Sequence, residues 1–163
     1  MNMLLRTVAA AAMTASLSTV ALAETTEINF GIISTESSQN LKSDWQPILD
    51  GMSKKTGMKV NAFFASDYAG VIEGMRFDKV QVAWMGNKSA MEAVDRANGE
   101  VFVQFIDLDG TPGYYSYIIT HKDSGITSLD QVLKNGKDYS FGIGDPQSTS
   151  GTLVPTYYVF TMN

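Results

Sequence analysis

The chain has 163 residues, no cysteine and one histidine, with 12 Lys plus Arg against 17 Asp plus Glu and a net charge of −5. No disulfide can staple it, a zinc site of ordinary ligand type is not expected without a second histidine or a cysteine, and nucleic acid is a poor partner because phosphate backbones need basic surface. An anionic small molecule stays compatible, since a local set of dipoles outweighs a distant net charge.

Residues 1–23 carry one early positive charge, Arg6, then an apolar and small-residue run ending Ala21-Leu22-Ala23 before Glu24. That pattern predicts a secretory signal cleaved after Ala23, too short and too diluted by Ser and Thr for a membrane span. The mature chain is then expected to start at Glu24 in the periplasm or outside the cell. It keeps roughly 140 residues, enough for a packed core, and loses one positive charge.

Residues 27–33 read as a buried strand. The polar loop 34–40 follows, and then a helix with Leu41, Trp45, Ile48, Leu49 and Met52 on one face, Lys54 and Lys55 at its end and Gly57 to stop it. Pro47 marks either the first turn of a shorter helix or a kink. A second strand over 58–64 leads into a helix capped by Asp67 and running to about Phe77; a third strand over 80–84 leads through Gly86-Asn87 into a helix over 88–97, closed by Asn98-Gly99. A fourth strand is predicted over 101–108. This alternation predicts an α/β fold with a parallel sheet and helices on both faces. Its ligand crevice lies beyond the carboxyl ends of the strands, at loops 34–40, 66–70 and 85–87. Tyr68 follows an N-cap there, so its phenol either reaches the crevice or packs in the core.

Asp109-Gly110-Thr111-Pro112-Gly113 is the densest turn signal and predicts a crossing into a second lobe. A strand over 114–120, a helix over 129–134 with a Ser128/Gln131 capping box, and a strand over 139–143 are expected to follow. The last strand breaks at Gly144-Asp145-Pro146 and delivers Ser148, Thr149 and Ser150 to a helix start, with Pro155 expected to kink or shorten that helix. Unpaired backbone N–H groups, the positive end of the helix dipole and three hydroxyls suit a tetrahedral oxyanion. An ordinary N-cap is the alternative reading of the same run. The apolar residues Tyr157 to Phe160 have no completed sheet to cover, so a further C-terminal portion is expected.

Catalytic chemistry is hard to place. His121 follows a strand end, no base adjoins the Ser148–Ser150 run, Asp107 and Asp109 sit in a turn, and no G-x-S-x-G, G-x-G-x-x-G or Walker A sequence occurs. No cofactor, metal or catalytic residue is expected.

Five blocks carry a resemblance. Asn29 to Ser37 (NFGIISTES), Ala62 to Gly70 (AFFASDYAG), Gly74 to Phe77 (GMRF), Ser89 to Gly99 (SAMEAVDRANG) and Gly144 to Gly151 (GDPQSTSG) closely resemble, in order, the periplasmic phosphonate-binding proteins of bacterial ABC transporters. The resemblance implies a periplasmic binding protein-like, type II, two-lobed α/β fold, cut within its second lobe: a signal over 1–23, a first lobe over 24–109 and the start of a second over 110–163. It implies capture of an alkylphosphonate for an inner-membrane permease, with the oxygens held by Ser148, Thr149, Ser150, Tyr68 and Tyr114, the last from the resemblance alone. The family's further ligand groups, a histidine and carboxylates, have no counterpart here, and His121 does not match that histidine. The competing readings are a phosphite- or phosphate-ester-binding protein of the same fold, a phosphorus-chemistry enzyme using the hydroxyls, and a sensory receptor module.

Overall fold

A computed structural model describes residues 26–162; the signal expected over 1–23 and its cleavage site lie outside them. Three strands, β1 (Glu27–Ile32), β2 (Lys59–Phe64) and β3 (Val82–Trp84), form a parallel sheet in the order β2-β1-β3. Phe30 of β1 stands opposite Ala62 on one side and Val82 on the other. Between and after them run α1 (Ser38–Thr56), α2 (Tyr68–Arg76) and α3 (Asn87–Ala97). No described helix is long and apolar enough to cross a membrane.

The period-two pattern of β1 divides the core between the two faces. Phe30 and Ile32 point to α1, where they pack with Leu41, Trp45 and Leu49 and with Val60 of β2. Trp45 fills the middle of this layer, its ring 5.5 Å from Phe30 and 5.1 Å from Trp84. On the opposite face Ile33 packs with Tyr68 and Val71 at the start of α2. Gly31 makes that approach possible: a Cβ there would lie 2.6 Å from Val71 Cγ1 and 2.9 Å from Val80 Cγ1. Leu49 and Val71 are almost fully enclosed, so truncating Leu49 to alanine is expected to cost about 2–5 kcal/mol. The α2–α3 pair is also tied by Arg96 and Glu73 at 2.7 Å. Both side chains keep partial access to water, so packing holds the pair more than charge does.

Local signals explain the boundaries. Ser37 caps α1 by accepting from the Asn40 N–H at 3.2 Å, and Gly57, left-handed at φ 72°, returns its N–H to the Ser53 carbonyl. Pro47 neither starts nor ends α1, which runs on through it. Pro47 and Ser43, whose carbonyl it leaves without a helical donor, both face solvent, so water satisfies the lost bond. Asp67 caps α2 through the Gly70 N–H at 2.8 Å. The short helix α4 (Leu129–Lys134) starts at Ser128, which accepts from the Gln131 N–H. The return bond of its capping box is displaced by one residue: Gln131 Oε1 accepts from the Thr127 N–H at 3.1 Å.

The strands expected over 101–108, 114–120 and 139–143 are not strands. These stretches have the aromatic and β-branched composition of strands, but strand propensity measures fit to a paired, half-buried surface. No second strand lies beside them among the described residues, and of residues 101–125 only Ser116 escapes full exposure. Phe102, Phe105, Tyr115 and Ile119 are all largely open to solvent.

Candidate functional site

The chain from Gly144 onward folds back onto the starts of α2 and α3. Asp145 stands before Pro146 and forms an Asx turn, its Oδ1 accepting from the Gln147 N–H at 2.7 Å while its carbonyl accepts from the Ser148 N–H. The last helix, α5, occupies residues 149–161 and is wound with i to i−5 hydrogen bonds over Thr149–Leu153 and Thr156–Thr161. Pro155 accounts for the wide winding. It has no N–H to give to the carbonyl of Gly151 or of Ser150, and both receive donors from elsewhere: the Gly144 N–H at 2.8 Å and the Ser116 hydroxyl at 2.7 Å. The first bond requires backbones in contact, because a Cβ on Gly144 would lie 2.9 Å from the Gly151 Cα.

Ser148 caps α5 by accepting from the Gly151 N–H at 3.0 Å, which is the ordinary role open to it, and its side chain stands near the Tyr68 phenol. Thr149 Oγ1 accepts from the Lys88 N–H at 2.9 Å, at the second residue of α3. The N-cap of α3 is Gly86, which has no side chain to do this, and a Cβ on Gly86 would stand 3.3 Å from that hydroxyl. Thr149 therefore caps a helix begun 61 residues earlier in the chain. Ser89, fully buried, completes the turn by accepting from the Gly86 N–H and donating to the Gly86 carbonyl.

Four of the five residues singled out in the sequence converge. Tyr68 is buried and stands beside Ser148, Asp145 and Tyr114. Burial pushes the Tyr68 phenol above its ordinary value of 10.0, the Ser148 hydroxyl pulls it back, and Asp145 and Tyr114 add to the rise. Its O–H thus stays a donor near neutral pH. Tyr114 is half exposed, and its phenol oxygen lies 3.9 Å from the Cβ position at Gly86, beside Thr149. Ser150 is placed differently. Its carbonyl is held by Ser116, it lines a groove of about 650 Å³ with residues such as Ile118 and Phe141, and no contact ties its hydroxyl to either tyrosine.

Chemically, three helix starts (α2, α3 and α5) meet with two phenols and the hydroxyls of Ser148 and Thr149. The Thr149 and Ser150 N–H groups find no acceptor among the described residues. Such an array can donate to an anion without a cationic side chain. Among the described residues no group of three or more His, Cys, Asp or Glu could hold a metal. The apolar groove of about 310 Å³ beside β3, lined by Trp45, Trp84 and Phe105 among others, shares no residue with the cluster.

Sequence reasoning placed Gly86 in the crevice loop 85–87 but missed the contacts of Asp145, Lys88 and Ser116.

Residues 30–163 match the family model described as the periplasmic substrate-binding protein of phosphonate ABC transporters. The chain is 65% identical over 136 residues to the phosphonates-binding periplasmic protein of Escherichia coli, covering 83% of this chain and 40% of that one. It is 39% identical over 132 residues to the phosphate-import protein PhnD of Mycolicibacterium smegmatis, covering 79% and 40%. A crystal structure of a binding-protein component of a phosphonate ABC transporter from Pseudomonas aeruginosa superposes with a TM-score of 0.83 at 64% identity, covering 86% of this chain and 46% of that one. The chain spans about two fifths of the length of the curated relatives it matches. Its fold is the type II, two-lobed α/β fold of these proteins, and the chain belongs to the family of periplasmic substrate-binding proteins of phosphonate ABC transporters.

Proposed function

We propose that the whole protein captures alkylphosphonates in the periplasm and delivers them to the permease of an ABC transporter in the inner membrane, without chemical turnover. One observation carries the reading: three helix starts and four hydroxyl-bearing side chains meet at one place, and among the described residues no cluster of His, Cys, Asp or Glu that could hold a metal lies there. Such an array suits an oxyanion held by neutral donors. In this reading Ser148, Thr149 and Ser150 donate to the phosphonate oxygens from one lobe, residues 110–163, with Tyr114 facing the anion from the same stretch and Tyr68 from the other lobe. Residues 24–109 form the other lobe once residues 1–23 have been removed. Ser150 contributes its backbone N–H as much as its hydroxyl.

A phosphate or phosphite ligand is the second reading, favoured by the likeness to a protein named for phosphate import. Calorimetric titration of the protein carried to the length of its relatives decides between them. Methylphosphonate binding at least about tenfold tighter than phosphate or phosphite supports the first reading. Preference for phosphate or phosphite moves the assignment to the second, and measurable release of inorganic phosphate from the phosphonate would make the protein an enzyme.

A further inference from the structure

Asn-Gly occurs twice in the chain, and each copy ends a helix: Asn98-Gly99 after α3 and Asn135-Gly136 after α4. The dipeptide is chemically labile. Glycine has no Cβ to shield its backbone nitrogen, so that nitrogen can reach the side-chain carbonyl carbon of the asparagine before it. The two copies share a sequence and differ in their surroundings. At the end of α3 the nucleophile is held. Asn98 is left-handed at φ 52° and ψ 36°, and its own N–H and that of Gly99 both go to the Ala93 carbonyl, the second at 3.1 Å. Gly99 is half-buried, and a Cβ there would lie 3.2 Å from that same carbonyl. Attack would have to open a closed end of a helix that Arg96 ties to Glu73 of α2.

At the end of α4 the nucleophile is loose. Asn135 and Gly136 are both exposed, a Cβ on Gly136 would meet nothing within 4 Å, and the Gly136 N–H finds no acceptor among the described residues. The donors of Asn135 share one carbonyl, that of Gln131, which accepts the backbone N–H at 3.2 Å and the side-chain Nδ2 at 3.1 Å. Helix α4 has six residues and buries none of them, so it opens at little cost.

We propose that Asn135 is a site of spontaneous covalent modification, converted to aspartate and isoaspartate in the folded protein much faster than Asn98. The Gly136 nitrogen bonds to Asn135 Cγ, the Cγ–Nδ2 bond breaks, and Nδ2 leaves as ammonia with the proton that the Gly136 nitrogen gives up. Water then opens the cyclic imide. Cleavage between Cγ and the Gly136 nitrogen leaves aspartate, and cleavage at the main-chain carbonyl of residue 135 leaves isoaspartate. Either product puts a negative charge at the negative end of α4 and removes the Nδ2 bond to Gln131. Gln131 also holds the Thr127 N–H and bonds the Tyr139 hydroxyl, so the change loosens residues 127–139. The reaction needs no ligand and is independent of the function proposed above.

Prolonged incubation of the protein at mildly alkaline pH, followed by peptide mapping with mass spectrometry and an isoaspartate assay, reads both sites in one sample. Asn135 is expected to convert about tenfold or more faster than Asn98 under native conditions. The two rates are expected to converge in concentrated urea, where only the shared dipeptide is left. Equal native rates, or faster loss of Asn98, would overturn the proposal. A difference that persists in urea would also overturn it, by tracing the contrast to neighbouring residues rather than to the fold. Gly136→Ala has room for its methyl group at a position that is not left-handed. It should slow Asn135 conversion about tenfold or more by shielding the nitrogen, and an unchanged rate would show that the Gly136 nitrogen is not the nucleophile and overturn the assignment.

Discussion

Thr149 supplies the helix cap that Gly86 lacks. The hydroxyl lies 3.3 Å from where a Cβ on Gly86 would be and accepts from the Lys88 N–H at 2.9 Å, so the Ser148–Ser150 turn and the start of α3 hold each other in place. Thr149→Val, which keeps the shape and removes the hydroxyl, is expected to cost about 0.5–2 kcal/mol of stability. Thr149→Ser should lose far less. Urea unfolding of the two variants checks this, and equal stability of Thr149→Val and wild type would contradict it.

Tyr68 should make stability depend on pH in the alkaline range. Its folded value is raised above the ordinary 10.0, so its contribution is full below about pH 10 and is lost as pH rises through the folded value. Tyr68→Phe should flatten the decline of the urea midpoint as pH rises above about 10. Parallel declines in the two proteins would mean that Tyr68 is not perturbed in this way.

Ser116 and Pro155 form a testable pair, although they never bond each other. Ser116 donates to the Ser150 carbonyl, which Pro155 cannot reach with an N–H of its own. Ser116→Ala should cost about 1 kcal/mol in the wild type. It should cost less in a Pro155→Ala background, where a donor returns to the helix. A double-mutant cycle with coupling of about 0.5 kcal/mol or more supports this account, and additivity contradicts it.

The exposed apolar stretch over 101–119 predicts that the isolated chain binds apolar dyes and self-associates, because Phe102, Phe105, Tyr115 and Ile119 present an extended greasy surface. Dye fluorescence and sedimentation test it. A monodisperse, dye-silent monomer would be the opposite result.

The first half of the chain was legible because its signals are local. The face formed by Leu41, Trp45 and Leu49, the Asp67 cap and the Gly57 stop each act within a few residues, and the structure has them where the pattern put them. The three missing strands show the reverse. Residues 101–108, 114–120 and 139–143 have strand composition, but a strand exists only with a partner, and pairing is not written in the segment itself. The site divides in the same way. Ser148 at a helix start was readable from Gly-Asp-Pro followed by hydroxyls. The bonds from Asp145 to Tyr68 and from Thr149 to Lys88 join residues 77 and 61 apart, and no local pattern announces them.

The most direct test of the proposed function is an amide-resolved titration with methylphosphonate of the protein carried to the length of its relatives. The account predicts that the Thr149 and Ser150 N–H signals move downfield and saturate together, as expected for backbone donors gripping an anion at a helix start. It also predicts that Ser148→Ala weakens the fitted affinity about tenfold or more. Saturable binding that leaves the Thr149 and Ser150 amides unmoved, or an unchanged affinity in Ser148→Ala, would contradict it and reduce the hydroxyl run to a helix cap.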